Sequence, residues 1–271
     1  MVLYFRLNYS IFILKLTLMD IDLSGKTILV TGASDGIGKG IANFLMQMGG
    51  TVAVHYNRNK TSAKDLISKY PETGSKVFKA DLSEREEVLS LFKEVRKAFG
   101  KIDVVILNAG VFLPHSTKKT TEDWFSVWRK TMAINLDAVG LLTKLGIEHF
   151  LEQGEGRFIY IASRAVFRGE TEEYLGYAAS KGGIVSLARS VARSFGKQNI
   201  KSFIVSPGFT RTQMAESFIK KYGEENVLNE IALNELTKPE DLAPLIALMC
   251  SGAMDHATGA TIDMNAGSHI R

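Results

Sequence analysis

In the run Tyr177-Ala178-Ala179-Ser180-Lys181 a phenol and an ammonium stand four residues apart. On a helix that spacing places both side chains on one face, where the cation can approach the phenol oxygen. Free tyrosine titrates near pH 10, so using it as a proton donor and acceptor near neutrality means stabilising its phenolate by roughly 3 to 4 kcal/mol. A nearby lysine can do this. The spacing recurs at Tyr56 and Lys60, so context must separate the two pairs. Tyr177 opens a helical stretch after a strand ending in Ser163, on the carboxyl side of a sheet where ligands of such folds bind, whereas Tyr56 ends a strand.

The second candidate is the turn Thr31-Gly32-Ala33-Ser34-Asp35-Gly36-Ile37-Gly38. Its glycines let the chain turn tightly, approach a pyrophosphate closely, and pack a helix whose N-terminal N–H groups face anionic oxygens. The lysine that completes a phosphate-hydrolysing loop is missing, so nucleotide hydrolysis is disfavoured.

Both candidates need a scaffold, and the apolar pattern supplies one. Continuous β-branched runs at Lys26–Gly32, Thr51–Tyr56, Lys76–Ala80, Asp103–Gly110, Arg157–Ser163, Lys201–Gly208 and Ala260–Met264 read as strands buried on both faces. Helical spacing follows the first run and recurs near 61–69, 84–99, 130–153 and 177–195. This alternation predicts an α/β fold with a doubly wound parallel sheet, in a single domain over 19–271.

Composition narrows the function. With 45% hydrophobic and 23% charged residues, the 271-residue chain has enough apolar mass for a sizeable core. A lone cysteine, Cys250, rules out a disulfide framework and multi-cysteine metal sites, and reads as a buried small hydrophobe. None of the five histidines (His55, His115, His149, His256, His269) stands in a metal-ligand pattern, so no metal is expected and surface or packing roles are assigned to them. The net charge of +4 is interspersed along the chain, which argues against nucleic acid. Trp124 and Trp128, four apart, read as helix packing. Residues 1–18 are apolar, but only eight residues separate Arg6 from Lys15, too few to span a bilayer, and no cleavage-site pattern follows. The segment is an N-terminal extension with two readings: an added edge strand or interface, or a leader upstream of a functional start at Met19. No membrane is expected, and the cytoplasm is the expected compartment.

Taken in order, Thr31 to Gly38, Asn108-Ala109-Gly110, Ser163, Tyr177 with Lys181, and Pro207-Gly208 resemble the short-chain dehydrogenase/reductase family over nearly the whole chain from about Leu23. The resemblance implies a Rossmann-type fold and hydride exchange between a nicotinamide dinucleotide and an alcohol or carbonyl. It carries the catalytic roles to Asn135, Ser163, Tyr177 and Lys181. Tyr177 would pass the proton, Lys181 would lower its pKa and hold the nicotinamide ribose, Ser163 would bind the substrate oxygen, and Asn135 would support a relaying water. Cofactor contacts fall by the same resemblance on Gly32, Ser34, Asp35, Gly36, Ile37, Gly38, Arg58, Asp81, Leu82, Asn108, Ala109, Gly110, Tyr177, Lys181, Pro207, Gly208 and Thr210. Among subgroups the chain is similar to 3-oxoacyl-carrier-protein reductases, which implies a small-molecule or acyl-thioester substrate and a homotetramer. A sugar or other secondary-alcohol dehydrogenase using NAD is the alternative, and a non-catalytic dinucleotide sensor is the reading from another class.

Three features qualify these expectations. The segment His55–Lys60 lacks the carboxylate that NAD-binding relatives of such folds place after the second strand, and Arg58 suits a 2′-phosphate, so NADP is expected over NAD. Asp35 opposes this by its charge. Ser163 and Tyr177 are 14 residues apart where the family usually has 13, and the loop between them carries Arg164 and Arg168 beside Glu170, Glu172 and Glu173, a cluster expected to be solvated, with contact to an acidic substrate as the other reading. Residues 209–235 are expected to form a lid, in which Met214, Phe218 and Ile219 either cover a substrate or pack into the core.

Overall fold

The structure, a computed structural model, describes residues 21–212, 215, 219 and 223–271. The extension 1–18 and the lid residues Met214 and Phe218 lie outside the described residues. Seven strands form one sheet: β1 (Thr27–Val30), β2 (Thr51–Tyr56), β3 (Lys76–Lys79), β4 (Val104–Leu107), β5 (Gly156–Ile161), β6 (Ile200–Pro207) and β7 (Thr261–Met264). Every pairing is parallel and the spatial order is β3-β2-β1-β4-β5-β6-β7. Strand order reverses between β1 and β4, which opens a crevice at their carboxyl ends.

Alternate strand residues feed two apolar layers, as the period of two requires. Leu29, Val105, Phe158, Tyr160 and Ile204 pack against α3 (Arg85–Phe99), α5 (Ala138–Gln153) and α7 (Leu175–Phe195). On the other face Ile28, Val30, Val54, Ile106, Ile159 and Phe203 meet α1 (Gly36–Gln47), α2 (Lys60–Ile67) and α9 (Pro239–Ser251). Each fully buried Leu, Ile or Phe contributes about 1.5 to 3 kcal/mol, so the covered sheet is a rigid base for the loops at its carboxyl edge. Cys250 is fully buried within the second layer, and burial raises its thiol pKa.

The expected helix at 130–153 begins earlier. Thr120 accepts from Asp123 N–H at 3.1 Å and starts α4 (Thr121–Met132), which runs through a wide turn, Ala133–Asp137, into α5. Of the residues of α4 only Thr131 is buried, so the apolar spacing that marks a helix in sequence is faint there. Trp124 and Trp128 stack at 5.2 Å, with buried His115 edge-on to both. Two short helices, α6 (Ala165–Arg168) and α8 (Glu224–Leu228), complete the carboxyl edge.

Candidate active site

The glycine turn leaves β1 and is fixed from two neighbouring strands. Thr31 Oγ1 accepts from Asn108 N–H at 2.9 Å and Ala109 N–H at 3.0 Å, and Asn108 Nδ2 returns a bond to Thr31 O at 2.8 Å. Gly32 and Gly36 have φ of +64° and +50°, which favours glycine. At Gly38 a Cβ would lie 2.3 Å from Gly32 O and 2.4 Å from Asn108 Nδ2, so only glycine lets α1 start this close to the turn. The result is a helix N-terminus with free N–H groups above a bare backbone, which fits a pyrophosphate. Asp35 caps α1 by accepting from Gly36 N–H at 3.2 Å, and Ser34 O accepts from Ser62 Oγ at 2.7 Å. Gly36 and Ile37 form the first turn of α1.

His55 is buried and bonds both to this turn and to β3. Gly32 N–H donates to its Nδ1 at 2.9 Å, and its Nε2 lies 3.0 Å from Ala80 O, which assigns the proton to Nε2 and keeps the ring neutral. Burial pulls its pKa below the ordinary 6.5. Protonation would abolish the acceptor facing Gly32, so this group contributes stability above pH 6.5 that is lost as pH falls below it. Between pH 6.5 and 5 the melting temperature of the protein is expected to drop more steeply than that of His55→Asn. Parallel curves would show that His55 does not carry this dependence. The sequence reading gave His55 only a surface or packing role, because a ligand-free histidine at a strand end has no distinguishing spacing.

Beyond β2, a hollow of ≈ 470 Å³ is lined by Tyr56, Asn57, Arg58, Lys60 and Lys79. Three of the five are cations and none is a carboxylate, a setting suited to a phosphate. Asp35 is not among the lining residues. Lys79 was missed in sequence, although pairing of Tyr56 with Lys79 in adjacent strands brings it to the same edge. Asp81 follows β3 and accepts from Ser83 N–H at 2.9 Å and Ser83 Oγ at 2.7 Å, bonds that hold its pKa below the usual carboxylate value. Leu82 beside it is buried.

On the substrate side of the crevice, Ser163 follows β5 and Tyr177 lies in the first turn of α7, and the Ser163 hydroxyl stands near enough to the phenol to favour its ionised form. Ser163 Oγ also accepts from Ala165 N–H at 3.1 Å, so it caps α6 as well. Phe112 stands edge-on to the Tyr177 ring at 4.8 Å and stacks on Tyr174 at 3.7 Å, making an aromatic wall that sequence reasoning did not find. Burial pushes the Tyr177 phenol up to about 12, against the partial offset of the Ser163 hydroxyl. The expected downward pull from Lys181 therefore does not dominate. Lys181 is 3% exposed, donates from Nζ to Ile161 O at 2.8 Å, and lies 5.9 Å from the Tyr177 ring centre. Burial lowers its pKa to about 8.

Asn135 is fully buried in the wide turn between α4 and α5. Its Oδ1 accepts from Val111 N–H at 2.8 Å, while Nδ2 donates to Val111 O at 3.0 Å and Ser180 Oγ at 3.1 Å. The amide thus ties the loop after Gly110 to the helix of Tyr177. A Cβ on Gly110 would stand 3.4 Å from both Asn135 Oδ1 and Lys181 Nζ. Pro207 and Gly208 close the edge: Pro207 O accepts from Arg164 N–H at 3.0 Å, and Gly208 N–H donates to Met264 O at 2.9 Å. Thr210 is buried and donates to Gly208 O at 3.3 Å.

The charge cluster after Ser163 differs from expectation. Glu172 is drawn away to Ser116 and Thr117, whereas Arg164 and Arg168 both bond Glu230. Arg164 is buried, not solvated, because its backbone is held against Pro207 at the floor of the crevice.

A family model described as "Enoyl-(Acyl carrier protein) reductase" matches residues 32–269, most of the chain. The chain belongs to the short-chain dehydrogenase/reductase family. Within this family of oxidoreductases, the 3-oxoacyl-[acyl-carrier-protein] reductase FabG of Thermotoga maritima is 29% identical over 248 residues, covering 90% of this chain and 98% of the relative. A short chain dehydrogenase of Burkholderia cenocepacia, solved in complex with NADP, superposes with a TM-score of 0.82 at 28% identity, covering 91% of this chain and 98% of that one. A putative NAD(P) dependent gluconate 5-dehydrogenase of Beutenbergia cavernae, with bound NADP at low occupancy, gives 0.83 at 25% identity over 92% and 98%.

Proposed function

We propose that residues 19–271 form a cytoplasmic, NADP(H)-dependent enzyme that interconverts a carbonyl compound and a secondary alcohol. The convergence of Ser163 just beyond β5, Tyr177 in the first turn of α7 and buried Lys181 5.9 Å from the Tyr177 ring centre carries this reading. When bound, the nicotinamide supplies or accepts the hydride at the substrate carbon. Ser163 then holds the substrate oxygen, and Tyr177 gives that oxygen its proton. With its pKa near 12 the phenol is protonated at neutral pH, so the protein alone is prepared to donate in the reducing direction. Lys181 sets a cation 5.9 Å from the centre of the phenol ring and would hold the ribose of the nicotinamide when the cofactor is bound. Asn135, its amide committed to Val111 and Ser180, positions rather than transfers.

The glycine turn from Gly32 to Gly38, with Ser34, Asp35, Gly36 and Ile37, would hold the pyrophosphate, Asp81 and Leu82 the adenine, Asn108 to Gly110 the middle of the cofactor, and Pro207, Gly208 and Thr210 the nicotinamide end. The FabG relative makes 3-oxoacyl thioesters the first compounds to try, followed by sugars, steroids and small ketones, with NADPH oxidation as readout. Tight NADPH binding without turnover of any of them would favour a dinucleotide sensor.

The cationic hollow around Arg58 supports NADP over NAD, because a guanidinium fork binds phosphate through charge-assisted bonds of about 1.5 to 3 kcal/mol. Arg58→Ala is expected to lower the ratio of kcat/KM for NADPH over NADH by roughly 10- to 100-fold. A wild-type preference for NADH, or an unchanged ratio, would show that Arg58 does not read the phosphate.

A homotetramer is proposed from the small residues that α7 leaves uncovered. Ala179 and Ser186 are exposed, and a Cβ on Gly182 would meet nothing within 4 Å. Light scattering at micromolar concentration is expected to give a tetramer for the 271-residue chain and for a chain starting at Met19, with equal activity. A monomer would sink the assembly. Loss of assembly only on truncation would show that residues 1–18 are structural.

A further inference from the structure

Arg164 immediately follows Ser163, and its backbone is locked to Pro207 at the floor of the crevice. Its side chain is 10% exposed. A guanidinium is planar and presents parallel N–H donors, so it is best satisfied by a carboxylate that offers both oxygens. Arg164 lacks that here. Nη2 donates to Glu230 Oε2 at 3.2 Å, an oxygen that also accepts from Arg168 at 2.7 Å, while Nη1 is buried without a partner among the described residues. Buried donors are seldom left unmatched unless something else completes them. The fork is half-filled, next to the residue that would hold the substrate oxygen.

The same group belongs to a charged cluster that extends toward Tyr177 through Glu170. Glu170 bears on Tyr177 and on both arginines, so the phenol, Glu170, Arg164, Arg168 and Glu230 form one connected cluster. Glu170 would repel a second carboxylate, and the charges of Arg168 and Arg164 act on it as counterweights. Glu230 comes from beyond α8, in the segment expected to cover the substrate, so its ion pairs tie that cover to the floor.

We propose that Arg164 selects the substrate by binding a carboxylate on the carbonyl compound held by Ser163 and Tyr177, with Glu230 occupying part of the guanidinium in its absence. The substrate class is therefore an oxo acid and its hydroxy-acid product. This rests on the carbonyl-reductase reading above. A neutral 3-oxoacyl thioester offers nothing for the vacant Nη1 to bind.

The test uses three- to six-carbon oxo acids, namely pyruvate, acetoacetate, 4-oxopentanoate and 5-oxohexanoate, each against its methyl ester. NADPH oxidation gives kcat/KM, and calorimetric titration of the NADP⁺-loaded enzyme gives affinity. At least one acid is expected to exceed its ester by roughly 10- to 100-fold, the range of a bond to a charged group. Arg164→Met should bring that ratio close to one by raising KM for the acid, and Arg164→Lys should restore part of it. The NADPH dissociation constant of each variant checks that it is folded. Acids and esters handled alike by the wild type, or an acid-to-ester ratio untouched by Arg164→Met, would overturn the proposal. Reduction of 3-oxoacyl thioesters alone would overturn it too, and would leave the reductase reading standing. If no carbonyl compound oxidises NADPH, the reductase reading fails, and the titrations still decide whether Arg164 binds a carboxylate.

Discussion

Tyr177→Phe is expected to lower kcat for carbonyl reduction by roughly 10² to 10⁴ while leaving NADPH affinity nearly unchanged. The substitution removes one oxygen and keeps the ring, so the edge-on packing with Phe112 survives. What disappears is the phenol hydroxyl beside Ser163, the group proposed to give the substrate oxygen its proton. Because burial sets the phenol near 12, wild-type reduction should be flat through neutral pH and fall only in strong base, whereas alcohol oxidation should rise with pH. Stopped-flow measurement of NADPH consumption separates chemistry from product release. Wild-type rates in that step for the phenylalanine variant would refute the assignment.

The second large effect is at Gly38. Gly38→Ala should weaken NADPH binding by at least about 100-fold and lower stability, since overpacking against backbone costs typically 1 to 3 kcal/mol. Its new methyl would need the space of Gly32 O and Asn108 Nδ2, so the turn must open or α1 must retreat, and either movement removes N–H groups from the pyrophosphate. Gly140→Ala is the control. Gly140 lies inside α5 with nothing within 4 Å of a Cβ, so alanine there should be neutral or stabilise by up to about 1 kcal/mol. Equal NADPH affinity, by calorimetry, for the Gly38 variant and the wild type would show that the close approach is not required.

The sheet was legible in sequence because strands buried on both faces are written as continuous apolar runs, and all seven appear where those runs lie. The glycine turn and the Tyr177–Lys181 pair were legible as candidates because spacing along the chain restricts them, although the same spacing at Tyr56 and Lys60 had to be set aside by context. Lys79 was hidden, since it reaches Arg58 only through the register of β3 on β2. His55 was hidden for a similar reason: its role depends on Gly32 and Ala80, 23 and 25 residues away. The wide turn at Asn135 leaves no compositional trace, because a backbone that gains one residue per turn uses the same side chains as a regular helix. Arg164 looked like a solvated charge because its burial is imposed by the edge of β6, not by its neighbours in the chain.

Lys181 holds a positive charge in the interior with one carbonyl oxygen as its acceptor. Desolvating an ammonium costs several kcal/mol after relaxation, and a single neutral acceptor does not return that amount. The fold would be sturdier with a methionine in that place. Over generations this creates a slope: copies of the gene released from selection for turnover gain stability by discarding the lysine first, and no stabilising drift carries them back. On the function proposed above, the lysine is therefore kept at a cost to the fold.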